Sequence, residues 1–327
     1  MRVARLHGTG DIRVTDEPEP TPGDGEVRVR MTAVGICGSD LHWYSEGGIG
    51  DAQLTAPVVP GHEMAGVALD GAYAGRPVAV DPALPCRGCR PCLAGNPNLC
   101  PNVVFAGHGS CDGGLAEVLA WPEHALQPVP DGMTAVEVAM LEPFGVAIHA
   151  MDLAHPRAAM SVGVFGCGPI GLLLIQLARA VGAGRVVASE PLPHRRAAAA
   201  AAGADLVLDP DDVGADLDLD VVFEVAGTDG AVRDAIVAAT PGARVVLVGI
   251  PETDLVTFPA GTARRKGLTI ALSRRMKDTV YPRAIELHRR HAVQLGALVT
   301  DRFPLDRAAD AFRRAAGRGG LKTVIEI

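Results

Sequence analysis

"SVGVFGCGPIGLLLIQLARAVGA", residues 161–183, is the stretch on which the fold turns. Its first five residues form an apolar, β-branched run of the kind that makes a strand buried on both faces, and "IGLLLIQLARAVGA" then repeats apolar residues at helical spacing. Between the two, Gly166, Gly168 and Gly171 stand in G-x-G-x-x-G spacing, with Pro169 and Ile170 inside the turn. The first glycine permits a tight turn, the second lets backbone approach a pyrophosphate, and the third lets the helix pack on the strand. The helix N-terminus adds unpaired N–H groups and a partial positive charge for phosphates. Any strand-to-helix turn can need glycines, so the spacing alone is weak evidence. Here the next strand, "RVVAS", is followed at once by Glu190, about 20 residues on, where a carboxylate accepts hydrogen bonds from an adenosine ribose. Gly166, Gly168, Pro169, Ile170, Gly171 and Glu190 therefore read as a nicotinamide dinucleotide site. Glu190 favours NAD over NADP, because a carboxylate repels a ribose phosphate. Arg195 and Arg196 blur that preference; Arg195 is taken as a cofactor contact on adenine or a phosphate, the plainer reading being a solvated helix residue.

Outward from this turn, the alternation continues. "HRRAAAAAAGA" reads as a helix ended by Gly203, and "LDVVFEV", "GAVRDAIVAA", "ARVVLVG" and "LTIAL" alternate strand and helix in the pattern of a parallel sheet covered by helices. Before about residue 140 the chain is instead rich in Gly and Pro, with short runs such as "EVRVRMTAV" and "GRPVAVDP" between turn signals, which is how a region of short strands reads. After residue 272 come two amphipathic helical patterns, "TVYPRAIELHRRHAV" and "LDRAADAFRRAAGRG", and a last strand, "KTVIEI". A chain of 327 residues accommodates two domains of ordinary size. No run of about 18 apolar residues occurs, and the first residues lack the apolar core of a signal peptide, so a cytoplasmic, unexported protein with no membrane contact is expected. A net charge of −8 argues against nucleic acid as a partner.

Four of the seven cysteines, Cys86, Cys89, Cys92 and Cys100, fall in "CRGCRPCLAGNPNLC". Disulfides are disfavoured in a reducing compartment, and four thiolates in one short loop match the closed tetrahedral shell of a structural zinc. An iron–sulfur cluster competes for four cysteines, but nothing else in the chain suggests electron relay. A second group lies upstream, in "GICGSDLHWYSEGG" and "VVPGHEMAG". Cys37, His62 and Glu63 supply soft, borderline and hard donors from separate loops, a set that suits a catalytic zinc with one position open. Each has a plainer reading: a small buried thiol, a satisfied core histidine, a surface carboxylate. Cys111 is a thiol with no evident partner, Cys167 reads as a small residue of the glycine turn, and His108 and His149 read as structural.

Taken together, "GICGSDLH", "PGHEMAG", the four-cysteine loop, "LEPFGVAIHA" and "GCGPIG", in that order, resemble the zinc-dependent medium-chain dehydrogenases, most closely their sorbitol or polyol branch. The resemblance runs over essentially the whole chain. It implies a Rossmann domain, a doubly wound parallel sheet, inserted into a GroES-like β-rich catalytic domain. The divisions would be 1–141 for the catalytic domain with its zinc loop at 86–100, 142–272 for the NAD domain, and 273–327 for the return, with the active site in the cleft. Residue by residue, it implies two zincs per chain. Cys37 and His62 would bind the catalytic one, Glu63 would bind directly or exchange with water, and Glu142, where classical alcohol dehydrogenases carry a cysteine, would touch it through water. Ser39 would hydrogen-bond the substrate oxygen, His42 would relay the proton to solvent, and Asp40 would orient the zinc histidine.

Trp43 and Arg274 are the substrate candidates. The order Trp43–Tyr44 departs from the tyrosine-first pattern of sorbitol enzymes, "AGVALDGAYAGRPVAV" and "PDDVGADLDLD" are shorter than usual, and "SRRMKDTVYP" aligns only loosely. The implied activity is oxidation of a secondary alcohol of a polyol or sugar-like substrate by NAD to a ketone, in a homodimer or homotetramer. Zinc would stabilise an alkoxide, and the proton would leave through Ser39 and the cofactor ribose to His42. Rival readings are dehydrogenases of threonine, sugar C1, butanediol, cyclitols or amino sugars, a zinc-free quinone reductase, and, in a different class, a non-catalytic nucleotide-binding zinc scaffold.

Overall fold

The apolar runs that decide the fold in sequence become the middle of a six-stranded parallel sheet in the computed structural model, which describes residues 1–50, 52–251 and 253–327. Strand order is Leu206–Leu208, Arg185–Ser189, Ser161–Phe165, Leu219–Glu224, Ala239–Leu247, Thr269–Leu272, all pairs parallel. Chain order runs outward from Ser161–Phe165 in one direction and then, from Leu219–Glu224, in the other. The switch between these two strands opens a crevice at their C-terminal ends, where ligands of such sheets bind. Phe165, Val187, Leu219, Val222, Ala235 and Val245 share one core beneath it. This sheet belongs to a compact unit of residues Pro143–Met276 and Glu286–Gln294.

The other unit comprises Met1–Glu142, Lys277–Ile285 and Leu295–Ile327. Its main sheet runs Leu126–Pro128, Pro77–Val80, Glu63–Ala68, Glu26–Gly35, Lys322–Glu326, Val299–Pro304, and Val118–Pro122 also pairs with Glu26–Gly35. All pairs are antiparallel except the last two strands of the path, which are parallel. The strand "EVRVRMTAVG" shows why it sits centrally: Val27, Val29 and Met31 are buried on one face and Arg30 is exposed on the other. The C-terminal strand Lys322–Glu326 inserts beside it, so the tail of the chain completes the sheet that the first residues begin. Leu6, Val29, Met31, Met64, Leu115 and Phe312 lie in the common core.

The N-terminal region is not made of strands alone. "GSDLHWYSE" forms the helix Gly38–Glu46, where the sequence reading had a loop. It lacks a clear apolar period and is set instead by its ends. The Asp40 carboxylate accepts the Cys37 N–H at 2.8 Å, and Gly47 closes the helix in the left-handed region at φ 75°. Trp43 and Tyr44 anchor one side in the core. Short helices Ala135–Ala139 and Ala260–Lys266 also went unforeseen. No helix among the described residues is long and apolar enough to cross a membrane.

Candidate active site

Cys37 caps the helix Gly38–Glu46, and Glu63 opens the strand Glu63–Ala68 with His62 just before it. Cap and strand end converge: one ligand atom from each of Cys37, His62 and Glu63 lies within 4.8 Å of the others. His62 and Glu63 are buried. Asp40 has no exposed surface; one oxygen accepts the Cys37 amide, and the other accepts the Gly61 N–H at 3.3 Å and faces His62 Nδ1 at 3.4 Å. That contact turns His62 Nε2 the other way, toward Ser39 Oγ at 3.4 Å. A thiolate, an imidazole oriented by a carboxylate and a second carboxylate are the donor set and outer support of a zinc site that keeps a position open. The residues present fit the ion.

Glu142, in the first turn of Leu141–Ala154, is buried but not part of that converging group. Burial pushes its carboxyl up to about 7, with nearby His62 pulling it down and Glu63 pushing it up. His42 is on the same helix as Ser39, and its Nδ1 is 2.8 Å from Glu46 Oε1, one turn on. Trp43 is buried with its indole N–H unpartnered among the described residues, its ring 5.8 Å from that of His108. His108, read from sequence as structural, has its ring 5.2 Å from His62 and 4.8 Å from Phe105. Arg274 is an exposed residue of the other unit, just after Thr269–Leu272.

The residue that sequence reasoning missed is Lys322. Its ammonium is buried against Glu63, with Nζ 2.5 Å from Glu63 Oε1 and 2.8 Å from Ile36 O. The pair is 259 positions apart in sequence. Burial alone would lower the pKa of the ammonium; Glu63 above all, with Cys37 and Asp40 adding to it, reverses this and holds it above its ordinary value.

The four-cysteine loop is equally well gathered. Sγ separations are 3.4 Å for Cys89–Cys92, 3.7 Å for Cys89–Cys100 and 3.5 Å for Cys86–Cys100, and all four cysteines are free of disulfides. Sulfurs about 2.3 Å from a central zinc would stand about 3.8 Å apart at the corners of a tetrahedron, so the loop is already close to the shape of the ion. Cys86 is drawn down to about 6, chiefly by the Gly88 amide and then by Cys100. The chain there is braced by an Arg87–Asp278 ion pair at 2.6 Å and by Lys277 donating to Gly95 O at 2.8 Å.

At the sheet crevice, Gly168 caps the helix Pro169–Ala180, with Pro169 in its first turn. Gly166 has φ 100°, closed to side-chain residues without strain, and a Cβ on Gly171 would overlap the Gly166 carbonyl oxygen. Glu190 Oε2 accepts the Cys167 N–H at 2.7 Å and Oε1 accepts the Leu192 N–H at 3.1 Å. The carboxylate thus ties the second strand to the glycine turn and fixes its own direction. Arg195 Nη1 stands 3.8 Å from where a Cβ on Gly168 would be, over the turn. Arg196 is committed elsewhere, to Glu190 O and Pro191 O at 2.8 Å and to Asp209 at 2.7 Å.

Comparison with known proteins extends these observations. Residues 23–131 match the alcohol dehydrogenase GroES-like domain, and residues 169–290 match the zinc-binding dehydrogenase family. The sorbitol dehydrogenase of Bacillus subtilis is 32% identical over 96% of this chain and 93% of its own length. Among solved structures, L-idonate 5-dehydrogenase from Escherichia coli superposes with a TM-score of 0.92 at 26% identity, covering 100% of this chain and 98% of the other. A zinc-binding dehydrogenase from Sinorhizobium meliloti, solved bound to NADP, gives 0.91 at 30% identity over 100% and 99%.

Proposed function

Because this chain belongs to the zinc-dependent medium-chain dehydrogenases, on their sorbitol dehydrogenase-like branch, we propose that it oxidises a secondary alcohol of a polyol or sugar-like substrate to a ketone with NAD. The observation that carries the reading is the convergence of Cys37, His62 and Glu63 beside a buried Glu142, in a relative of a sorbitol enzyme.

In this reading Cys37 and His62 would hold the catalytic zinc, with Glu63 as an exchangeable third donor and Glu142 as a carboxylate near it; Cys86, Cys89, Cys92 and Cys100 would hold the structural one. Zinc supplies Lewis acidity toward the substrate hydroxyl, and the nicotinamide supplies a hydride acceptor. The chain's own residues do the rest. Asp40 keeps the His62 ring in one orientation, so that its Nε2 stays on the Ser39 side. The Ser39 hydroxyl accepts a hydrogen bond from the substrate hydroxyl and, as it takes that proton, passes its own into the relay that ends at His42. His42, its ring held by Glu46, exchanges that proton with solvent. Trp43 and His108 wall the substrate side and exclude water, and Arg274 is the candidate cation for a distal hydroxyl. Gly166, Gly168, Pro169, Ile170 and Gly171 receive the pyrophosphate, Glu190 the ribose, and Arg195 the adenine side of the cofactor. The carboxylate of Glu190 supports NAD over NADP; a much lower KM for NADP would overturn that preference. We further propose a cytoplasmic homodimer or homotetramer.

The test is the appearance of NADH with zinc-loaded protein across polyols, sugars, cyclitols and simple secondary alcohols, each with a chelator control. Chelator-sensitive turnover of a polyol is expected. Turnover confined to simple alcohols, or indifferent to chelator, would overturn the reading.

A further inference from the structure

Glu63 meets the rest of the metal group already paired with a cation. Its strand, Glu63–Ala68, and the C-terminal strand, Lys322–Glu326, flank the end of Glu26–Gly35, where Gly35 is opposite Glu63 on one side and Val324 on the other. Lys322, two residues before Val324, points to the same face. A side chain at position 35 would stand between them: a Cβ there would overlap the Glu63 carboxylate and come within 3.1 Å of Lys322 Cε. Gly35 is thus the recess across which carboxylate and ammonium meet, and both side chains are almost wholly buried, at 1% and 3% exposure.

Such a pair is a poor device for stability alone. Removing two ions from water is costly, and well-packed apolar residues often serve as well. Its placement gives it a different use. A divalent ion bound by the Cys37 thiolate keeps one unit of positive charge for a substrate oxygen, and a firmly bound Glu63 carboxylate would cancel it. A cation holding the same carboxylate from behind competes for that charge.

We propose that Lys322 is a positioning residue that shares the Glu63 carboxylate, keeping Glu63 a weak, exchangeable ligand and the metal's open position available. This rests on the reading of Cys37, His62 and Glu63 as a metal group. Without the ammonium, Glu63 becomes a permanent ligand.

The experiment substitutes cobalt(II) for zinc in the full-length protein and records its visible spectrum, together with the rate of zinc release to a chelator, for wild type, Lys322→Met, Lys322→Arg and the Glu63→Gln/Lys322→Met double variant. Lys322→Gln, which keeps a donor for Ile36 O but no charge, gives the same reading should the methionine variant fail to fold. The neutral variants are expected to shift the cobalt d–d bands, to release catalytic-site zinc roughly tenfold more slowly, and to lose kcat. Lys322→Arg should retain the wild-type spectrum, and the double variant should lose the slow release. A residue that merely supported the fold would instead speed zinc loss and leave the bands in place, and that result overturns the proposal. If wild type binds only the metal of the four-cysteine loop, the metal group and the proposal fall together. If it binds two and the neutral variants match it in spectrum and release rate, the proposal alone falls.

Discussion

The two thiol-bearing sites of this chain use the same kind of donor to opposite ends. In the loop Cys86–Cys100 four sulfurs gather within 4.8 Å of one another, three of their separations at 3.4 to 3.7 Å, a shell of four donors with no corner for another ligand. At the end of Glu26–Gly35 one cysteine joins a histidine and a glutamate, and the glutamate is shared with a lysine. A closed shell of four like donors can only hold a loop in place; a mixed, three-cornered shell with a contested member leaves room for chemistry. The neighbourhoods differ accordingly. The loop is bordered by exposed apolar residues such as Leu93 and Leu99, whereas in the mixed group Cys37 is half-buried and His62 and Glu63 are buried, with buried Asp40, Ser39 and Lys322 against them.

Substitutions can break this comparison or sharpen it. The largest effect is expected from Cys37→Ala. Turnover should fall by at least about a thousandfold, the equivalent of about 4 kcal/mol of barrier, while the four-cysteine zinc remains bound. Steady-state kinetics with metal analysis checks it, and full turnover in the variant would remove the distinction between the sites. Cys89→Ser should act in the opposite way. One zinc is lost and the melting temperature drops by roughly 10 °C, as expected for a few kcal/mol in a domain of this size, with NAD binding retained. Calorimetry and nucleotide titration report both.

A smaller and pH-dependent effect is expected at Asp81, which is buried where Pro77–Val80 leads toward the loop and lines a cavity of about 170 Å³ with Arg87, His124 and Asp278. Burial pushes its carboxyl up to about 7; the Ala83 amide opposes this and Asp278 adds to it. The folded state therefore keeps a proton that the unfolded chain releases near pH 4. Stability from this group is unpenalised in acid, falls as pH rises from about 4, and levels off above about 7. Asp81→Asn should remove that slope, gaining at most about 4 kcal/mol relative to wild type at pH 8 and little at pH 4. Melting curves across this range check the sign. The least effect is expected from Arg87→Ala. Its pair with Asp278 is half exposed, so a loss of about 0.5 kcal/mol, with metal retained, is the expected outcome of chemical denaturation.

The two units were not equally legible in sequence. "SVGVF" is the strand Ser161–Phe165 to the residue, and "RVVAS" is Arg185–Ser189, because strands buried on both faces are written as unbroken apolar runs. The other unit hides its helix Gly38–Glu46, which is specified by Asp40 and Gly47 at its ends rather than by a periodic face. The same contrast holds for the site. The convergence of Cys37, His62 and Glu63 was legible because metal donors are rare and distinctive, and that of the loop cysteines because they are close in sequence. Lys322 was invisible: in "LKTVIEI" it is one polar residue at the start of a strand, and only the antiparallel register across Gly35 brings it to Glu63. His108 likewise carried no pattern, and its place beside His62 depends on the fold of the segment around Phe105.

The most direct measurement is a stepwise removal of zinc by chelator, with metal content, NADH production from a polyol and circular dichroism followed on the same sample. Two zincs per chain are expected, the first to leave abolishing turnover with the fold and its melting temperature unchanged, and the second to leave lowering the melting temperature followed by circular dichroism. A single zinc per chain, or turnover that survives loss of the first, would contradict the assignment of one closed and one open metal site.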